Sequence, residues 1–234
     1  FLGSAFDMKI NSSIETKNFF VANDGMHSLL KKYEQRLKIY FNEKAIKIDE
    51  EKKLVYFESG NKESFDIIIS SLPLPQAKEV FESKINHDAT FNPCISVGMT
   101  ISGSPNYKHV AYKNINEDIS WLGTSKFYNK KNDETWVLQF SPDASLAMMS
   151  DTDSFIQTLA EDAVRNTING QYKIMHSGIF KWKYALCSRS NLNNEYTYIS
   201  KDAFAIGDWN LSPRVESAYI SGNELGKYLT KNIL

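Results

Sequence analysis

Near the end of this chain, Ala203-Phe-Ala-Ile206 runs into Gly207-Asp208, and a helical pattern follows from about Pro213 through Val215, Ala218, Tyr219, Leu225 and Leu229. No other stretch constrains the fold as much. An apolar strand that turns at a glycine and enters a helix places free backbone N–H groups, and the positive end of the helix dipole, at the carboxyl edge of a parallel sheet. Such an edge suits an anion or a polar ring edge. Gly207 permits close backbone approach, Asp208 can accept hydrogen bonds from sugar-type hydroxyls, and Gly222 and Gly226 let the helix lie close to a neighbour. An ordinary strand-to-helix connection with a packed helix fits the same residues equally well.

Upstream, Asp24-Gly25 followed by Met26, Leu29, Leu30, Tyr33 and Leu37 predicts an amphipathic helix capped by Asp24. Leu37–Phe41, Ala45–Ile48 and Leu54–Phe57 read as short strands of a meander. Phe65–Ser70 is almost continuously apolar, the pattern of a strand covered on both faces, and is expected to sit centrally. Pro73 and Pro75 end it, and Pro75 fits the first turn of a short helix carrying Ala77, Val80 and Phe81. The middle of the chain is strand-rich: Ile95–Ile101, His109–Tyr112, Ile119–Leu122, Thr135–Phe140 and Ile174–Tyr184, with turns at Gly103–Pro105 and Asn129–Asp133. Within it, Asp151–Ile168 predicts a helix with an apolar stripe of Phe155, Leu159, Ala163 and Val164. That stripe is expected to cover one face of a mainly antiparallel sheet.

This pattern gives an α/β (α+β) chain of two lobes. Residues 1–90 and 196–234 form one lobe, and 91–195 form a second lobe inserted between its halves. With 27 Lys and Arg against 28 Asp and Glu, the net charge of −1 offers no electrostatic reason for a nucleic-acid partner. No apolar run has the length of a membrane span, and the opening residues lack signal-peptide character, so a cytoplasmic protein with no membrane partner is expected. Cys94 and Cys187 are far apart, and no His or Cys cluster has metal-ligand spacing, so no metal is expected.

The string from Asp202 to Gly222, DAFAIGDWNLSPRVESAYISG, resembles the carboxy-terminal flavin-binding segment of the flavin amine oxidase superfamily, especially its renalase-like branch. Phe20–Leu29 resembles that family's glycine–methionine helix start, and Phe65–Gln76 its strand ending in a proline pair. Phe91–Cys94 and Phe180–Ala185 are similar in order and spacing as well. The resemblance implies an FAD-binding lobe and a substrate lobe whose antiparallel sheet roofs the isoalloxazine. It places Gly207 and Asp208 at the ribityl and pyrophosphate portion, and the backbone of Arg214, Val215 and Glu216 at the pyrimidine edge. Ala45 matches the position whose backbone reads adenine, and Leu72 the strand end beside the cofactor. Trp182 and Tyr184 match an aromatic pair shaping the substrate pocket; core aromatics sharing one face of a strand fit them equally.

One family feature is missing, because no two glycines stand two residues apart and there is therefore no G-x-G-x-x-G turn. Ser217 also stands where the family usually has glycine. Together with the non-Met start at Phe1, the missing turn suggests a truncated chain lacking its opening NAD(P)-binding-type segment, or one that naturally lacks it. The expected activity is that of an FAD-dependent oxidoreductase, passing a hydride from a reduced-nicotinamide-like or amine substrate to flavin and then electrons to O2. No acid–base residue is obligatory for such chemistry, so none is named as catalytic. The alternative is a cofactor-free binding or regulatory module. This chain alone is expected to bind FAD weakly or not at all, and to self-associate through the surface a missing segment would cover.

Overall fold

The computed structural model describes Leu2–Asp7, Lys17–Phe20, Ser28, Leu30–Thr124, Asp133–Asn191 and Asn193–Ile233. In chain order the strands are β1 (Leu2–Asp7), β2 (Lys17–Phe20), β3 (Ala45–Asp49), β4 (Leu54–Phe57), β5 (Lys62–Ser64), β6 (Ile68–Ser70), β7 (Ala89–Asn106), β8 (Ala111–Lys113), β9 (Ile119–Thr124), β10 (Asp133–Phe140), β11 (Asn169–Ser190), β12 (Thr197–Ser200) and β13 (Ala203–Ala205). The helices are α1 (Lys31–Glu34), α2 (Leu74–Val80), α3 (Pro142–Ala147), α4 (Asp153–Thr167) and α5 (Val215–Asn232). The chain divides into two compact units, Phe1–Lys38 with Pro93–Lys183, and Ile39–Asn92 with Tyr184–Leu234. It passes between them at Lys38–Ile39 and again within the long strands β7 and β11.

The first unit is built on a seven-stranded sheet in the order β11-β7-β10-β9-β8-β1-β2. β10 pairs antiparallel with β7 and β9, whereas β1 runs parallel to β8. Alternation of side chains along β7 sends Ile95, Val97, Met99 and Ile101 to one face, where Trp136, Leu138 and Phe140 of β10 join them in the core. Helix α4 covers that face with Ile156, Ala160 and Val164, all 0% exposed. Its first turn is capped by Thr152, whose hydroxyl accepts from the Phe155 N–H at 3.4 Å. Buried Ser145 on α3 accepts from the Ile95 N–H at 2.9 Å and fixes α3 against the start of the β7 core run.

The α4 stripe differs from the expected one. Ala163 and Val164 do pack against the core, but Phe155 is 49% exposed and Leu159 37% exposed. Ile156, Ala160 and Val164 stand at i, i+4 and i+8, and each residue turns the helix by about 100°, so a reading centred one residue early misplaces the two largest side chains. The expected turn at Gly103–Pro105 is also absent, because these residues continue β7. Gly103 (φ +124°) and Gly170 (φ +102°) instead mark a close approach of two backbones. A Cβ would lie 2.6 Å from the Gln171 carbonyl oxygen at Gly103, and 2.4 Å from the Ser104 carbonyl oxygen at Gly170.

Of the turn at Asn129–Asp133, residues 129–132 lie outside the described residues, and Asp133 opens β10. The helix expected behind Asp24 is likewise partly outside them, including Asp24, Met26 and Leu29. What is described is the single turn α1; Tyr33 within it, and Leu30 and Leu37 on either side, are exposed rather than gathered on a buried stripe. Leu37–Phe41 forms bends and loop instead of a strand. Leu37, Ile39 and Phe41 are exposed, and Asn42 turns the chain at φ 61°.

The second unit contains the meander β3-β4-β5 and a separate sheet in the order β12-β13-β6, with β13 parallel to β6. Alternation along β13 directs Ala203 and Ala205 into one core with Leu74, Ala77 and Val80 of α2 and Ile48 of the meander. Phe204 points the other way, to Leu225 and Leu229 of α5. The sheet therefore has a helix on each face, the layering that parallel strands require. β6 stands at an edge of this sheet rather than at its centre, since only β13 pairs with it among the described residues, and Ile69 is exposed. Along α5 the buried residues are Ser217, Ser221, Leu225 and Leu229, while the expected Val215 and Tyr219 face outward.

Candidate functional site

The parallel pair β6 and β13 ends side by side. The Ile206 N–H donates to the Ser70 carbonyl at 2.8 Å as the last rung, and beyond it the chain opens to Leu72 on one strand and Gly207 on the other. Two side-chain bonds hold these ends. The Trp209 indole N–H donates to the Leu72 carbonyl at 3.2 Å, and the Gly207 N–H donates to the Ser221 hydroxyl at 3.1 Å. Asp208–Asn210 forms a tight 3-10 turn, with the Leu211 N–H returning to the Asp208 carbonyl at 3.0 Å. Gly207 is extended (φ 160°, ψ 168°), so any residue satisfies its backbone. Space alone requires the glycine, because a Cβ there would meet the Trp209 Nε1 at 2.4 Å.

A cavity of about 220 Å³ opens at these strand ends, lined among others by Ser71, Phe91, Tyr184, Gly207, Asp208 and Ala218. Phe91 and Tyr184 meet edge to face, with ring centroids 5.8 Å apart, and form its aromatic wall. Burial raises the Asp208 carboxyl above the ordinary aspartate range, while the N–H groups of Trp209 and of Asp208 itself pull in the opposite direction. Burial also raises the Cys187 thiol, and the charge of Asp208 adds to the effect. A thiol held protonated in this way is a poor nucleophile, so Cys187 reads as a packing residue.

Of the residues picked from the sequence, Gly207, Asp208 and Tyr184 are brought together at this cavity. Leu72 is tied to its rim through Trp209. Arg214, Val215 and Glu216 open α5 in exposed positions, Val215 at 85% exposure, and Ala218 is the residue of that first turn that reaches the cavity. The Arg214 N–H is already taken, donating to the Ser212 carbonyl at 2.7 Å, and the N–H groups of Val215 and Glu216 stand at the start of the helix. Ala45 opens β3 opposite Phe57 and does not line the cavity. Trp182 belongs to the other unit, where it is 56% exposed and stacks on Phe180 with ring centroids 6.4 Å apart. Phe91, Trp209 and Ser221 were not singled out from the sequence, although each lies inside a stretch that carried the resemblance. Among the described residues no group of three or more His, Cys, Asp or Glu could hold a metal ion, and no helix is long and apolar enough to cross a membrane.

The sequence profile described as flavin containing amine oxidoreductase matches residues 2–182, more than half of the chain. The chain belongs to the flavin-containing amine oxidoreductase family. The match stops before Gly207, so the cavity rests on geometry rather than on the profile. Solved structures similar in fold include a putative protoporphyrinogen oxidase from Exiguobacterium sp. 255-15, with a TM-score of 0.65 and 12% identity, covering 89% of this chain and 51% of that one. A reduced UDP-galactopyranose mutase gives a TM-score of 0.56 and 13% identity, covering 83% and 49%. An oxidoreductase from Methanosarcina mazei gives 0.53 and 11%, covering 79% and 48%. The chain spans about half the length of these proteins. Its mixed α/β architecture is theirs. No curated protein sequence matches the chain significantly.

Proposed function

We propose that the second unit carries one side of an FAD site, serving an oxidoreductase of the renalase or amine oxidase type. The observation that carries this reading is the convergence of Gly207, Asp208, Tyr184 and the first turn of α5 on one cavity at the ends of a parallel strand pair. The residues present suit a flavin's polyol and ring edge. Asp208 offers carboxylate oxygens to hydroxyl donors, the small Ala218 leaves room for close approach, and the N–H groups of Val215 and Glu216 at the opening of α5 favour an acceptor-rich edge. Phe91 and Tyr184 supply a wall for a flat ring. When bound, a flavin supplies a two-electron acceptor that takes a hydride from an amine or reduced-nicotinamide-like substrate and returns the electrons to O2 as hydrogen peroxide. The chain's own groups bind, orient and exclude water, and no side-chain acid or base is assigned.

At about 220 Å³ the cavity falls below the roughly 300–1,000 Å³ of complete small-molecule sites, and no glycine-rich phosphate turn is encoded in these residues. Each charge-assisted bond to a pyrophosphate contributes about 1.5–3 kcal/mol, so these residues alone are expected to hold FAD weakly. The same observation favours a second reading, a cofactor-free binding or regulatory module that keeps the fold. The edge of β6, which pairs with β13 alone among the described residues and exposes Ile69, supports self-association as a further property of the isolated chain. Anaerobic mixing with excess FAD and either a primary amine or a dihydronicotinamide separates the two readings. Bleaching of the flavin band faster than in protein-free FAD supports the oxidoreductase, and an unchanged rate with both donors supports the module.

A further inference from the structure

The Gly207–Asp208 turn is held from two directions by side chains that do not themselves offer a free group to a ligand. From α5, the Ser221 hydroxyl accepts the Gly207 N–H at 3.1 Å; Ser221 is fully buried and one of two serines on a helix face otherwise lined by Leu225 and Leu229. From within the turn, the Trp209 indole lies against Gly207, almost wholly buried, and its N–H reaches across to the Leu72 carbonyl at the end of β6. The two bonds join three separate elements: the end of β6, the turn after β13, and the second turn of α5. Between them Asp208 lines the cavity, its carboxylate also taking the N–H groups of Trp209 and of Asp208 itself.

We infer that Trp209 and Ser221 are positioning residues that lock the Gly207–Asp208 turn and hold the Asp208 carboxylate toward the cavity, where it accepts ligand hydroxyls. The assignment rests on the flavin reading for the identity of the ligand, but its geometry stands without it. One consequence is specific. The Gly207 N–H is already occupied within the protein, so this turn recognises a ligand through the Asp208 side chain and not through the Gly207 amide. Removing the hydroxyl leaves a part-buried N–H without its partner and frees the turn to shift.

The test uses the whole chain with three variants. Ser221→Ala removes the acceptor, Ser221→Thr restores a hydroxyl, and Trp209→Phe keeps an aromatic ring while removing the indole N–H. Amide exchange at Gly207 is followed by NMR in the absence of ligand, and FAD affinity by titration. The expected result is Gly207 exchange at least about fivefold faster in Ser221→Ala, restored in Ser221→Thr, together with an FAD affinity weakened about five- to tenfold in both Ser221→Ala and Trp209→Phe, matching the loss of one hydrogen bond. Melting temperatures separate this from unfolding, because a merely structural role lowers stability without changing the affinity of the folded fraction. Unchanged Gly207 exchange in Ser221→Ala, or unchanged FAD affinity in both variants, overturns the positioning role. Wild-type protein that shows the exchange pattern but no saturable FAD binding removes the turn's role in holding this ligand and leaves the lock in place.

Discussion

Gly207→Ala places the heaviest demand on this architecture. Because Gly207 is extended, an alanine there costs nothing in backbone conformation, and the whole penalty is steric. The new Cβ would stand 2.4 Å from Trp209 Nε1, 2.7 Å from Cδ1 and 3.3 Å from Cε2. The indole cannot swing into solvent, since Trp209 is among the largest fully buried side chains of the protein. Overpacking of this kind costs about 1–3 kcal/mol. Displacing the ring also breaks the 3.2 Å bond to the Leu72 carbonyl, which adds about 1 kcal/mol. The sum is about 2–4 kcal/mol. Urea unfolding followed by far-UV circular dichroism reads it directly, and the Trp209→Ala background isolates it: with the ring gone, Gly207→Ala is expected to cost less than about 0.5 kcal/mol. A penalty that persists undiminished in that background would show that something other than the indole requires the glycine.

Three further outcomes are expected. In α4, Ile156→Ala should lower stability by about 2–5 kcal/mol and Phe155→Ala by less than about 1 kcal/mol, reversing the order read from the sequence; equal losses in denaturant melts would place the buried stripe wrongly. Gly170→Ala should destabilise by more than about 3 kcal/mol, because the added Cβ meets the backbone carbonyl of Ser104 at 2.4 Å and φ is +102°, so neither neighbour nor backbone can relax; a melting temperature within about 2 °C of wild type would refute this. Asp208 has a raised folded-state pKa, so the native state binds more protons than the unfolded one between the two values, and its ionisation lowers stability as pH rises through that window. Asp208→Asn should therefore match wild type in acid and exceed it at neutral pH, while weakening any hydroxyl-bearing ligand; thermal melts from pH 3 to 8 that stay parallel would remove the buried-carboxylate argument.

The sequence was most informative where local chemistry and tertiary demand coincide. Pro75 in the first turn of α2, the strands β3 and β4, and the passage from β13 through Gly207 into α5 were all readable, because a proline fixes its own backbone, short β-rich runs between turn residues mark strands, and an apolar run followed by a helical period marks a strand-to-helix passage by itself. Failures fall where a third element decides. Gly103 looks like a turn until Gly170 is known to approach it from β11, and no local pattern carries that pairing. Phe155 and Ile156 are equally apolar, and only the Thr152 cap and the sheet beneath fix which faces inward. Phe65–Ser70 has the composition of a central strand, yet its position in a sheet depends on neighbours that its own residues do not name. In the site, Asp208 and Tyr184 were legible, whereas Trp209 and Ser221 were not, since an indole N–H bonding a carbonyl 137 residues away leaves no local signature.

The central claim is that ligand recognition is organised around the Gly207–Asp208 turn. Titrating the labelled chain with FAD and mapping amide shifts tests it most directly, because weak binding suffices for the measurement. Saturable shifts that concentrate at Tyr184, Gly207, Asp208 and Ala218, and that disappear in Asp208→Asn, are the expected result. Saturable shifts centred elsewhere in the chain, or a pattern at this turn that Asp208→Asn leaves unchanged, would contradict it.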